Sequence, residues 1–315
     1  MGDGFAIVDG VAPSTRRMRK QIDRAVRGGQ SSVLITGPTG AGKELVAREI
    51  HRRSRGGRPY VAVNVGAQSA NLLQSALFGH ERGSFTGAET RQTGYFHEAA
   101  GGTLCLDELG ELPLSLQPVL LRVVEQGEYR PVGAARDVRV EARLLASTNR
   151  DLRAESAAGQ FRQDLFYRLA QHEVQVPALD ERRDDFRAIA SSLVPSLEFS
   201  EDAWRWLERR SYPGNVRELS TILLRMKSHC DAEKRTHVDR DVLRELEDHT
   251  PPVDKATALA EHALRFGATL AELRRAQRFY AELGRAKADG NVSRAARELG
   301  VSRGGLRSTL ATKKD

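Results

Sequence analysis

The sequence is poor in the residues that staple, anchor or decorate a fold. Only two cysteines occur, Cys105 and Cys230, and neither has a CxxC-type neighbour. That argues against a disulfide framework or a cysteine metal centre and for structural thiols in a reducing compartment. Aromatic residues are 6 % of the chain while charged residues are 29 %, a balance that suits a helix-rich protein better than a β-sandwich. No apolar run approaches the ~20 residues of a membrane span. No charged n-region followed by an apolar h-region opens the chain, so a cytoplasmic protein without a membrane partner is expected. What is present is length and positive charge. The 315 residues allow two or three domains around a substantial core. Of the net charge of +7, the segment from residue 251 onward holds nearly all, thirteen basic against seven acidic side chains leaving +6. A basic face of that kind attracts polyphosphate backbones.

Short apolar runs alternate with amphipathic stretches as far as residue 176, the pattern of strands linked by crossover helices. Strands are expected at 32–36, 60–64, 103–107, 143–148 and 173–176. Their near-continuous apolar character predicts a parallel sheet covered on both faces. Beyond Pro177 the strand signals stop, and helical spacing appears at 184–193, 201–209 and 215–226. Thr250-Pro251-Pro252 interrupts the chain as a linker. The expected division is an α/β part over 1–176, a helical lid over 177–250, and a linker with a small helical domain over 251–315.

Gly37-Pro38-Thr39-Gly40-Ala41-Gly42-Lys43 fits G-x-x-x-x-G-K directly after a strand and before a helical run at 44–53. Gly37, Gly40 and Gly42 let backbone N–H groups converge on phosphate oxygens at the positive end of the helix, and Lys43 reaches the β- and γ-phosphates. The strict motif wants Ser or Thr next, for Mg²⁺, but Glu44 stands there. The apolar run Leu104-Cys105-Leu106 ends in Asp107-Glu108. Asp107 suits Mg²⁺ coordination through water, and Glu108 suits polarising an attacking water.

With Leu77-Phe78-Gly79-His80-Glu81-Arg82-Gly83-Ser84-Phe85-Thr86-Gly87-Ala88, these motifs resemble the AAA+ domain of sigma-54-dependent transcription activators, the bacterial enhancer-binding proteins. Phe161-Arg162-Gln163-Asp164-Leu165, Tyr167-Arg168-Leu169 and Tyr212-Pro213-Gly214-Asn215-Val216-Arg217-Glu218-Leu219 extend the likeness over roughly residues 7–230. In that family a glutamate regularly follows the loop lysine, which reconciles Glu44 with an ATP and Mg²⁺ site. The resemblance further implies that Asn64 holds Glu108 away from water until the partner engages. It implies that Thr148 and Asn149 sense the γ-phosphate, and that Arg217 senses nucleotide from the lid. Arg162 and Arg168 become fingers reaching the neighbouring subunit's nucleotide. Catalysis then requires a ring, typically a hexamer, of this chain alone or with a paralogue.

In the family the loop Gly83–Ala88 contacts sigma-54 and moves the closed promoter complex of the polymerase. Gly83 and Gly87 free the backbone for a tight tip, Phe85 offers apolar contact and Thr86 a hydroxyl. Ser84 stands where the family usually has alanine. If Ser115 caps the following helix, Pro118 falls in its first turn, where a missing N–H costs little.

Residues 289–303 read as helix, turn, helix, with Gly300 at the turn and Ser302 as N-cap. They resemble the Fis-type DNA-binding unit of the same activators, with Arg294, Arg297, Arg303 and Arg307 offered to double-stranded DNA at an upstream activator site. Gly304-Gly305 inside the second helix cost roughly 1 kcal/mol each. The 36 residues before Gly37 are fewer than the ~100 a sensory domain needs. A member without a built-in regulator is therefore expected, controlled by a separate protein or by its own expression and bound to the nucleoid when on DNA. The rival expectations are a nucleotide-responsive repressor that never remodels polymerase, and an AAA+ loader or helicase.

Overall fold

Why this chain forms a sheet with both faces covered is visible in the alternation of its strands. In the computed structural model, which describes residues 9–85, 88–240 and 242–243, Val33 and Ile35 turn to one apolar layer and Leu34 to the other. Cys105 and Leu145 likewise oppose Leu104, Leu106, Leu144 and Ala146. Five parallel strands carry this pattern: β1 (Val33–Thr36), β2 (Tyr60–Asn64), β3 (Thr103–Asp107), β6 (Arg143–Thr148) and β7 (His172–Gln175). Their order is β2-β3-β6-β1-β7. All six residues of β6 are buried, as a central parallel strand requires.

Helices α1 (Pro13–Arg27) and α2 (Lys43–Arg55) send Met18, Ile22, Val46 and Ile50 into one layer. The other layer receives α3 (Ala70–Phe78), α4 (Tyr95–Glu98), α5 (Gln117–Gln126), α6 (Leu152–Ala157) and α7 (Gln163–Leu169). All five expected strands are present, β7 lying one residue earlier than its apolar run suggested.

Two insertions leave the layer of α3 and α5. One is the loop 79–94 after α3; the other is a hairpin, β4 (Glu128–Tyr129) with β5 (Val138–Arg139), after α5. The base of the first meets the tip of the second, where His80 bridges to both Gln92 and Val132. Chain direction then returns them to the amino ends of β3 and β6, opposite the ends that carry Asn64, Asp107 and Thr148.

The expected cap of α5 is not Ser115. Leu116 occupies the cap position, with Pro118 in the first turn. The register is set by Gln117, whose buried amide donates to the Leu112 and Gln160 carbonyls and accepts from the Arg162 N–H at 2.8 Å. Ser115 is left exposed in the preceding turn.

After β7 the chain is helical: α8 (Phe186–Leu193), α9 (Glu201–Glu208) and α10 (Asn215–Ala232), with a short parallel pair β8 (Glu198–Phe199) and β9 (His237–Val238). α8 begins later than its apolar spacing indicated. Residues 179–185 form a tighter turn with Arg182 at φ −135°, ψ 46°. Asp185 is drawn out of helical use because its carboxylate accepts from the Ala12 N–H at 2.9 Å and the Thr15 hydroxyl at 2.6 Å. Conversely, α10 runs six residues past the expected Met226, since Cys230 is still buried on its inner face. By compactness, Met1–Asp239 form one unit.

Candidate nucleotide site and partner loop

Residues 37–42 turn from β1 into α2 with three glycines in left-handed or otherwise positive φ: Gly37 at 152°, Gly40 at 75° and Gly42 at 103°. Space as well as conformation requires glycine at Gly40, where a Cβ would lie 2.2 Å from the Gly214 carbonyl oxygen. The loop therefore packs directly on the start of α10. Lys43 folds back on it, donating to the carbonyls of Gly37 at 2.9 Å and Pro38 at 3.2 Å. Burial holds the Lys43 ammonium below the ordinary lysine value; Asp107 and Glu108 oppose that shift and Arg217 adds to it.

The carboxyl ends of β2, β3 and β6 complete the arrangement. Asn64 stands in register with Asp107. Its Nδ2 donates to Glu108 Oε2 at 2.9 Å, and its Oδ1 accepts from the Gly66 N–H at 2.9 Å. Glu108 sits in left-handed backbone, φ 57°, unusual for a glutamate and a mark of a position held by its surroundings. Ser147 donates its hydroxyl to Asp107 Oδ1. Thr148 is buried and accepts from the Arg150 N–H, while Asn149 Nδ2 reaches Thr39 Oγ1 at 3.1 Å. The Arg217 N–H donates to the Gly40 carbonyl at 3.3 Å. A cleft of ≈490 Å³ opens beside the loop, bounded by Gly37, Pro38, Asn149 and Glu181 among others.

The structure thus brings together Gly37, Gly40, Gly42, Lys43, Asn64, Asp107, Glu108, Asn149 and Arg217. It does not bring Glu44 to them: that carboxylate takes Arg48 Nε and Nη2 at 3.0 and 2.8 Å, one turn along α2. Arg162, capping the start of α7, and Arg168, in its last turn, are exposed and pair with Asp164 at 2.7 Å and Glu125 at 3.0 Å. Of the partner loop, Phe85 is 42 % exposed, its ring edge-on to His80 at 4.9 Å. Gly83 stands at φ 80° with open space around it, and Ala88 closes the turn by donating to the Phe85 carbonyl at 3.0 Å. Thr86 and Gly87 lie outside the described residues, as do Arg294, Arg297, Ser302, Arg303 and Arg307.

Sequence reasoning missed two braces. Arg182, wholly buried, donates to the Ala41 carbonyl at 2.6 Å. Asn215 donates to the Thr39 carbonyl at 3.0 Å and accepts from the Leu179 N–H at 2.9 Å. Asn215 lay within a quoted motif and its φ of 55° is a residue-type signal; no local pattern marks Arg182. The arrangement has the parts to cradle a polyphosphate, hold a divalent cation at Asp107 and orient a water at Glu108. The fit rests on the glycine-only contact at Gly40 and on a half-buried lysine facing two carboxylates.

An α/β fold with a parallel sheet and a glycine loop at its carboxyl edge defines the P-loop class of protein. A family described as the Sigma-54 interaction domain matches residues 8–175, and the chain belongs to that family. It is 43 % identical to the response regulator protein PilR of Pseudomonas aeruginosa, over 71 % of this chain and 53 % of that protein. It is 41 % identical to the hydrogenase transcriptional regulatory protein HoxA of Bradyrhizobium diazoefficiens, over 89 % and 59 %. The chain spans about half the length of the curated relatives it matches. Among solved structures, NtrX of Brucella abortus in complex with ATP superposes with a TM-score of 0.65 at 31 % identity, covering 96 % of this chain and 68 % of that one. The RuvB branch-migration motor of Thermotoga maritima, at 16 % identity and a TM-score of 0.52, shares the fold alone.

Proposed function

We propose that this chain is an ATP-hydrolysing transcription activator that converts the closed complex of sigma-54 RNA polymerase to the open complex. The observation that carries the proposal is the pairing, in one sheet, of a phosphate loop facing Asp107 and Glu108 with a glycine-flanked, exposed Phe85 at the opposite edge. The names of PilR and HoxA as regulators, and the Sigma-54 interaction domain itself, support this over a repressor or a helicase.

ATP is the substrate, its γ-phosphoryl group passing to water, with Mg²⁺ neutralising phosphate charge. The N–H groups of residues 39–43 and the Lys43 ammonium bind the phosphates, and Asp107 would hold the Mg²⁺. Glu108 orients the attacking water and draws its proton. The Asn64 amide restrains that carboxylate, so release of the 2.9 Å bond readies the site. Asn149 and Arg217 report nucleotide to the sheet and to α10. Arg162 and Arg168, exposed on α7, exchange Asp164 and Glu125 for the nucleotide of an adjoining copy, so activity requires a ring, a hexamer in the simplest case. The division into an α/β part to 176, a helical lid to 250 and a DNA-binding end from 251 serves this scheme. The end supplies the upstream tether through Arg294, Arg297, Arg303 and Arg307.

The test is transcription from a sigma-54 promoter with ATP. Phe85→Ala is expected to keep hydrolysis within about twofold while open complexes fall below about a tenth. Equal loss of both activities, or transcription indifferent to ATP, overturns the proposal.

A further inference from the structure

The amino edge of the sheet carries a second concentration of charge that hydrolysis does not use. A cleft of ≈840 Å³ opens between the end of α2, Gly101 before β3 and residues 139–141. Five arginines line it, Arg52, Arg53, Arg55, Arg58 and Arg139, against the single carboxylate Glu141. Three have structural work. Arg52 pairs with Glu49 and Arg53 with Asp23, each at 2.7 Å, and Arg55 donates to the carbonyls of Gly101 and Gly102 at 3.2 and 2.8 Å. Arg58 and Arg139 are exposed and form no ion pair among the described residues. Beneath them Arg143, 1 % exposed, donates to the Ser31 and Ala25 carbonyls and faces no carboxylate. Burial, with the Arg55 charge adding to it, lowers its pKa to about 10.

So many guanidinium groups crowded at one rim repel each other, and an anion relieves that repulsion. The planar donor fork of arginine matches phosphate oxygens better than any other common anion except carboxylate. Among the described residues no aromatic side chain lines the cleft, so these residues provide no stacking platform of the kind that single strands or free nucleotide bases use. What remains is contact to a backbone of regularly spaced phosphates. Location narrows this further. The wall at 139–141 continues the β4–β5 hairpin, whose Val132 pairs with His80 at the base of the Phe85 loop. The cleft therefore lies at the foot of the hairpin whose tip meets the Phe85 loop.

We propose that the arginine cleft seats the phosphate backbone of duplex DNA, so that the α/β part itself touches the duplex, at the foot of the hairpin whose tip meets the Phe85 loop. That the duplex is promoter DNA rests on the function proposed above; the phosphate contact itself does not.

The full chain carrying Arg294→Ala and Arg303→Ala, which weaken the C-terminal end, is titrated with a labelled 20-base-pair duplex lacking any activator site, over a salt series. Adding Arg58→Gln and Arg139→Gln is expected to weaken binding and to reduce the log–log salt slope by about 2, one for each phosphate no longer neutralised. Arg58→Lys with Arg139→Lys is expected to keep most of both. ATP hydrolysis by each Arg58/Arg139 variant, equal to that of the Arg294→Ala, Arg303→Ala background it is built on, shows that the fold persists. An unaltered slope in the glutamine variant overturns the proposal. So does competition by polyglutamate as strong as by duplex, which would mark a seat for an acidic polypeptide. A change in oligomeric state in the glutamine variant would also overturn it, marking an interface between copies. If the parent chain makes no open complexes, the function proposed above fails while the slope still reports on the cleft.

Discussion

At the carboxyl ends of the strands nearly every functional side chain is braced by another. Asn64 holds Glu108, Ser147 holds Asp107, Asn149 and Asn215 both reach Thr39, and Arg182 holds Ala41. At the amino ends of the same strands Phe85 rests only edge-on against His80, and Arg58 and Arg139 stand in solvent. The contrast follows the physics of the two tasks. Phosphoryl transfer depends on donors and acceptors fixed before the reaction, because reorganisation adds to the barrier. Gripping a large partner depends on reach, and a side chain locked by its neighbours has none.

The comparison breaks first at Glu108. Glu108→Gln keeps the Asn64 contact geometry but removes the charge that the proposed mechanism uses to orient water, so ATP turnover should fall at least about 100-fold while nucleotide binding persists. Retained turnover would move the catalytic carboxylate elsewhere. A smaller loss is expected from Arg182→Ala, which leaves the Ala41 carbonyl without its buried donor. Stability should drop by about 2 kcal/mol, a Tm decrease of roughly 4 °C or more. The KM for ATP should rise more than kcat falls. An unchanged KM would show that the brace supports the fold and not the loop.

Midway between the edges lies Cys105, whose thiol burial raises from the ordinary value near 9 to about 12, against a weaker lowering by Tyr60. A raised folded pKa lends stability that is complete below the unfolded value and lost as pH climbs toward the folded one. The urea midpoint advantage of the parent over Cys105→Ala should therefore hold up to pH 8 and shrink between pH 9 and 11. Alkylation of Cys105 at pH 8 should require unfolding. The smallest effect belongs to the amino edge. The Ser84 hydroxyl is buried without a hydrogen-bond partner among the described residues and packs near Gly133. Ser84→Ala should raise stability by about 1 kcal/mol, read as a small rise in Tm with unchanged ATP turnover.

Much of this was legible in the chain. The strand positions follow from apolar runs that must be buried on both faces. The glycine loop is readable because glycine takes the positive φ of Gly40 and Gly42 without the strain other residues incur there. The resemblance pointed to Asn64 beside Glu108, and the structure places them in contact. Harder to read were positions where a side chain is claimed by something distant. Asp185 has the spacing of a helix residue yet spends its carboxylate on Ala12 and Thr15. Ser115 has the chemistry of a cap yet loses the position because Gln117 is anchored across to Gln160 and Arg162. Glu44 follows the loop lysine but is taken by Arg48, a pairing that i,i+4 spacing would have suggested.

The sequence by itself determined the sheet, the phosphate loop and the order in which the acidic pair follows it, because periodicity and backbone freedom are local properties. Only the tertiary structure decided which side chains close on that loop. Arg182 meets Ala41 across 141 residues and Asn215 meets Thr39 across 176. Contacts of that separation exist only after the helices have packed against the sheet, so no pattern along the chain encodes them.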